Sequence, residues 1–91
     1  MKFEWDIRKE KINLKKHGIS FTQAKEAVMC GNIVVLKEEV VLSEQRFVFL
    51  GMCKNLNILV VVVFYPDDSI TRIVSARKAN KKERAFYETQ L

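Results

Sequence analysis

Residues 58–65, ILVVVVFY, constrain this chain more than any other stretch. Eight consecutive apolar residues are far too few for a membrane-spanning helix, which needs about 20. Their β-branched and aromatic side chains are stiff at χ1 and suit a pleated surface. A strand that is apolar at every position needs cover on both of its faces. The rest of the chain therefore has to supply two layers.

The flanking sequence supplies strands on both sides. Asn55-Leu56-Asn57 reads as the turn before this run, and Pro66-Asp67-Asp68 as the turn after it. Arg46 to Cys53 and Ile70 to Arg77 are the neighbouring strands, and Ile33 to Leu36 is another. The acidic pair Glu38-Glu39 places that last strand near an edge. Short turns join these strands, so the sheet is largely antiparallel. Phe3-Glu4-Trp5 reads as a short first strand, with Phe3 and Trp5 on one face.

Helices occupy the two ends of the chain. Asp6 is the predicted N-cap of a helix through about Lys16, and Gly18 ends it. Ile7, Ile12 and Leu14 are its few apolar residues, which predicts a solvated helix docked by one narrow stripe. Ser20-Phe21-Thr22-Gln23 is a capping box that opens a second helix. Phe21, Ala24, Ala27 and Val28 fall at helical spacing, and Gly31-Asn32 stops the helix. Asn80 caps a final helix with Glu83 at N3, and Ala85-Phe86 are its predicted apolar contacts. The expected fold class is α+β: a small antiparallel sheet packed by two N-terminal helices and one C-terminal helix.

Ninety-one residues, 48% hydrophobic, with three glycines and one proline, describe a single domain over 1–91 without a linker. The N-terminus is charged throughout and does not read as an export signal, so a cytoplasmic location is expected. Cys30 and Cys53 have no CxxC spacing and are expected to be reduced, buried and inert. One histidine and two distant cysteines make no metal-ligand set. There is no Gly-rich phosphate loop, and no cofactor is expected.

The net charge of +5 favours an anionic partner, and the cations gather at the C-terminal end, in TRIVSARKANKKERAFYE at 71–88. Arginine, lysine, carboxylate and tyrosine are the groups that metal-free RNA cleavage needs. A base takes the proton of a ribose 2′-hydroxyl, a guanidinium holds charge on phosphorus, and an acid protonates the leaving 5′-oxygen. Arg77, closing the last strand, is the first catalytic candidate, and Arg46 the second. Arg72 has the opposite parity to Arg77, so a regular strand would not aim both at one phosphate. Lys78 is a candidate proton donor or phosphate contact. Tyr87 lies one turn after Glu83, and either is a candidate acid or base. Trp5 is a candidate for stacking on a base, with Lys16, His17, Lys81 and Arg84 as further RNA contacts. The same basic surface also suits a protein that binds nucleic acid without cleaving it.

FEWD at 3–6, Asn13, KHGISF at 16–21, RFVFLG at 46–51 and RIVSARKANKKERAFYE at 72–88 resemble the BrnT family of toxins from bacterial type II toxin–antitoxin systems. The resemblance covers nearly the whole chain, with several motifs in order. It implies a RelE/ParE-like toxin fold and a metal-independent endoribonuclease that stops translation. It also implies a partner: a BrnA-like antitoxin with a ribbon-helix-helix domain, in a heterotetramer that contacts operator DNA only through the antitoxin. The family's basic C-terminal motif falls here on Arg72, Arg77, Lys78 and Arg84, and its strand-start arginine on Arg46. One departure is KEEVVLSEQ at 37–45, where family members often carry a more polar segment.

Overall fold

The computed structural model describes residues 2–91. Local capping sets the helices. Asp6 accepts from the Arg8 amide and starts α1 (Ile7–His17), and Gly18, at φ 72°, returns its N–H to the Leu14 carbonyl. Both predicted capping boxes form: Ser20 with Gln23 at the head of α2 (Phe21–Met29), and Asn80 with Glu83 at the head of α3 (Lys81–Thr89).

Five strands make one sheet: β1 (Lys2–Glu4), β2 (Val34–Val41), β3 (Glu44–Met52), β4 (Ile58–Asp67) and β5 (Ile70–Lys78). Their spatial order is β1-β5-β4-β3-β2, with β1 parallel to β5 and every other pair antiparallel. The apolar run of β4 is therefore the middle strand. β2 runs five residues beyond its expected end at Leu36 and turns through Leu42 and Ser43, both at positive φ. Two consecutive left-handed residues give the tight hairpin that matches strand twist.

The two faces of β4 meet different layers. Leu59, Val61 and Val63 pack with Phe49, Ile73, Ala76 and the α2 residues Phe21, Ala24 and Ala27. Gly51 is what lets α2 lie so close: a Cβ there would stand 2.5 Å from the Ala27 carbonyl oxygen. Ile58 and Val60 pack on the other face with Val48, Leu50 and the Ala79 and Tyr87 side chains that flank and belong to α3. α3 is docked by Tyr87, which is 1% exposed, and not by Ala85-Phe86, which lie exposed.

α1 docks in an unexpected way. Ile7, Ile12 and Leu14 are 60%, 66% and 45% exposed, while the polar Asn13 is buried. β1 pairs with β5 only as far as Arg72, so the rest of that β5 edge is unpaired. The Asn13 side chain fills the gap. Its amide donates to the Ala76 and Ile19 carbonyls at 2.8 and 2.9 Å, and its oxygen accepts from the Ala76 N–H at 3.1 Å. A stripe of hydrophobes was the wrong anchor to expect, because the edge needs hydrogen bonds more than apolar cover. Cys53 is buried as expected, but Cys30 is exposed.

Candidate RNA-cleavage site on the open sheet face

Cross-strand pairing fixes which side chains share the face opposite α1 and α2. One row runs Glu39, Arg46, Phe64, Arg72. The next runs Lys37, Val48, Val62, Ser75, and a third carries Leu50, Val60 and Arg77. α3 covers the third row at its β3–β4 end, Val48 and Val62 of the second row pack into the same cluster, and the first row lies beyond it.

Arg72 and Arg77 therefore point to the same side, against the parity expectation. The pairing shifts between Val62 and Val63, where Ser75 and Ile73 are the successive partners and Val74 is left over. This β-bulge adds one residue to β5 and restores the face of Arg72. Nothing in the composition of RIVSAR marks it.

His17, Lys37, Glu39, Ser75 and Arg77 converge on a cavity of about 320 Å³ floored by Val48, Val60 and Val62. His17 ends α1 beside the β5 edge that Asn13 holds, which is how a residue from the helix layer reaches the open face. The donor set is complete for proton transfer next to an anion: an imidazole, a carboxylate, a hydroxyl, an ammonium and a guanidinium. Lys37 and Glu39 lie 3.4 Å apart. Apolar floor atoms exclude water beneath a bound phosphate, which strengthens charge interactions there.

Each of the three arginines is held by a carboxylate. Glu83 takes Arg77 in a two-pronged pair at 2.8 and 2.9 Å, and the same carboxylate accepts the Asn80 amide of the capping box. The Arg77 bonds hold the Glu83 carboxyl below the ordinary carboxylate range, and the pair pushes Arg77 up. Arg46 bonds Glu44 at 2.9 Å and Arg72 bonds Glu4 at 3.0 Å.

The other predicted residues lie elsewhere. Tyr87 is buried, donates to the Asn32 carbonyl at 2.8 Å, and has its pKa raised by burial and the neighbouring Cys30, so its hydroxyl does not face the cavity. Trp5 packs edge-on to Phe21 and donates to Glu10, so its ring serves the helix-covered core. Lys78 pairs with Leu59 and so leaves the sheet on the helix side. Lys16, Lys81 and Arg84 are exposed around the rim, with Arg84 donating to the Ala79 carbonyl. Lys37, Glu39 and Ser75 join the site through the extension of β2 past Leu36 and the bulge at Val74, neither of which local sequence pattern marks.

A family model described as the ribonuclease toxin BrnT of type II toxin–antitoxin systems matches residues 5–83. The chain belongs to the BrnT family. The crystal structure of the Brucella abortus ribonuclease toxin BrnT superposes with a TM-score of 0.70 at 23% identity, over 89% of this chain and 99% of that one. That likeness establishes a shared α+β fold, an antiparallel sheet flanked by helices. No curated protein matches. His17, expected as an RNA contact, and Arg77, the first catalytic candidate, both line the cavity and fall inside the BrnT match. Among the described residues, no helix is long and apolar enough to cross a membrane, and no three His, Cys, Asp or Glu residues gather as metal ligands.

Proposed function

We propose that this chain is an endoribonuclease toxin that cleaves RNA by attack of a 2′-hydroxyl on its own 3′-phosphate, with no metal in the step. The convergence of His17, Glu39, Lys37, Ser75 and Arg77 on one cavity with an apolar floor carries this reading. Either His17 or Glu39 takes the 2′-hydroxyl proton, and the other group delivers a proton to the leaving 5′-oxygen. The O2′–P bond forms as the P–O5′ bond breaks, leaving a 2′,3′-cyclic phosphate and a free 5′-hydroxyl. Arg77 and Lys37 hold the charge that builds on the non-bridging oxygens, the term worth most in such sites. Arg46 and Arg72 hold flanking phosphates, with Lys16, Lys81 and Arg84 on the approach.

RNA cleavage in the cell stops translation, and the family description supplies the reason for control by an antitoxin. A BrnA-like ribbon-helix-helix antitoxin is the proposed partner, in a heterotetramer that meets operator DNA through the antitoxin alone. The alternative is a binding or co-repressor protein without cleavage, which the full pairing of Arg46, Arg72 and Arg77 with carboxylates favours.

A labelled single-stranded RNA tests the two readings. The wild-type chain is expected to cut it in EDTA, to leave cyclic phosphate ends, and to spare a site carrying 2′-deoxyribose. Arg77→Ala is expected to lower the rate about 10²–10³-fold while staying folded. Binding without any cutting by the wild type sinks the enzyme reading.

A further inference from the structure

Phe64 stands out among the aromatic residues in and beside the sheet. Phe3, Trp5, Phe47, Phe49 and Tyr65 all pack against the helix-covered core. Phe64 sits on the middle strand and joins neither core cluster. Its pairing with Arg46 on one side and Arg72 on the other puts it on the open face, between two guanidinium groups. The Arg72 guanidinium carbon lies 5.9 Å from its ring centroid.

Phe64 is half-buried, and a partly exposed ring set between two guanidinium groups offers a π-face to a ligand. We infer that Phe64 is a stacking platform for a base of the RNA substrate, and that Arg46 and Arg72 grip the phosphates on either side of that nucleotide. This rests on the ribonuclease reading for the substrate's identity, and goes beyond it in naming where a base is held.

Three features fit. Along β4, Phe64 comes two residues after Val62, so it lies about 7 Å beyond the cavity floor. The stacked base then belongs to a nucleotide next to the phosphate in the cavity. Arg72 is tied to Glu4 in a pair whose partners are both partly exposed, weak enough for phosphate to displace, and Arg46 lies deeper, with its partner Glu44 at the more exposed end. A base on the ring takes the place of Arg72, whose guanidinium moves to phosphate and keeps a cationic partner. Every base has a π-face, so the platform fixes position along the strand more than sequence.

The test uses a short RNA with 2′-O-methyl ribose throughout, which blocks cleavage, and 2-aminopurine at each position in turn. Wild-type protein is expected to quench the probe at one position beside the bond cut in the unmodified RNA. Phe64→Leu, which keeps apolar bulk without a π-face, is expected to lose that quench and to bind about five- to hundredfold more weakly. Phe64→Trp is expected to keep or deepen it. Equal affinity and equal quenching by wild type and Phe64→Leu overturn the platform. Should Leu fail to fold, the other two proteins decide: no position-specific quench by the wild type overturns the proposal, and a quench that Phe64→Trp retains at the same position upholds it. Cleavage of unmodified RNA by the same wild-type preparation is scored separately. A Phe64-dependent quench without cleavage sinks the enzyme reading and leaves the platform standing.

Discussion

Val61 and Val62 are neighbours of the same type on the same strand, yet they serve opposite ends. Val61 is fully buried under α2 with Val63, Ile73 and Ala76. Val62 floors a cavity among charged groups. Odd-numbered residues of β3 and β4 face the larger core under α2, and their even-numbered neighbours are divided between the smaller core under α3 and the open end that carries Arg46, Phe64 and the site floor. A 91-residue chain cannot spare separate elements for scaffold and chemistry. It uses the two sides of one sheet, so that a site residue changes with little effect on the core beneath it.

The comparison breaks most visibly with one substitution made twice. Val61→Lys puts an unpaired charge in the core and is expected to abolish cooperative folding, since such burial costs several kcal/mol of a stability near 5–15. Val62→Lys, one residue on, is expected to cost only about 1–2 kcal/mol in urea melts, because its ammonium reaches solvent. Similar losses from both would mean the open face is core as well.

Asn13→Ala is expected to cost about 3 kcal/mol, because the Ala76 N–H and carbonyl lose their partner together. Denaturant unfolding measures it, and faster amide exchange at Ala76 is the local sign. Asn13→Leu should not rescue it. If it does, apolar contact anchors α1 after all.

Glu83→Gln is expected to cost about 1 kcal/mol at neutral pH, a modest figure because Arg77 is 42% exposed. The folded-state pKa of Glu83 is lowered, so its contribution is present above the ordinary carboxylate pKa and fades as pH falls through the lowered value. The gap between wild type and variant therefore narrows in acid. A gap that stays constant down to pH 2 would separate the cap from the ion pair.

An effect of similar size has the opposite sign. Thr71 is fully buried, and its hydroxyl has no hydrogen-bond partner among the described residues. Thr71→Val keeps the shape and is expected to raise stability by about 1 kcal/mol.

What was legible in the sequence was local. The three helix starts follow from Asp6, Ser20 and Asn80, whose side chains act within three residues of themselves. The β4 run announced its own central position. The misreadings all concern relations between distant segments. Leu42-Ser43 carries none of the usual left-handed turn residues, so β2 appeared to end at Leu36. The bulge at Val74 is a matter of how β5 pairs with β4, and it turned a correct parity count into a wrong face. Asn13 looked incidental because its partner lies 63 residues away. The candidate site was half legible for the same reason: Arg46, Arg72, Arg77 and His17 stood out by charge and type, while Lys37, Glu39 and Ser75 needed the register.

The side chain that closes the β5 edge has one more effect. Sheets grow by adding strands to free rims, and a protein that stays apart from its copies has to block them. On one side β1 offers three residues, and Asn13 occupies the backbone of Ala76 beyond it. On the other side β2 is the long free rim, interrupted at Leu36 and carrying Lys37, Glu38 and Glu39. Asn13 thus shortens the rim on the β5 side to the three residues of β1, and the long rim on the other side is already bent and charged.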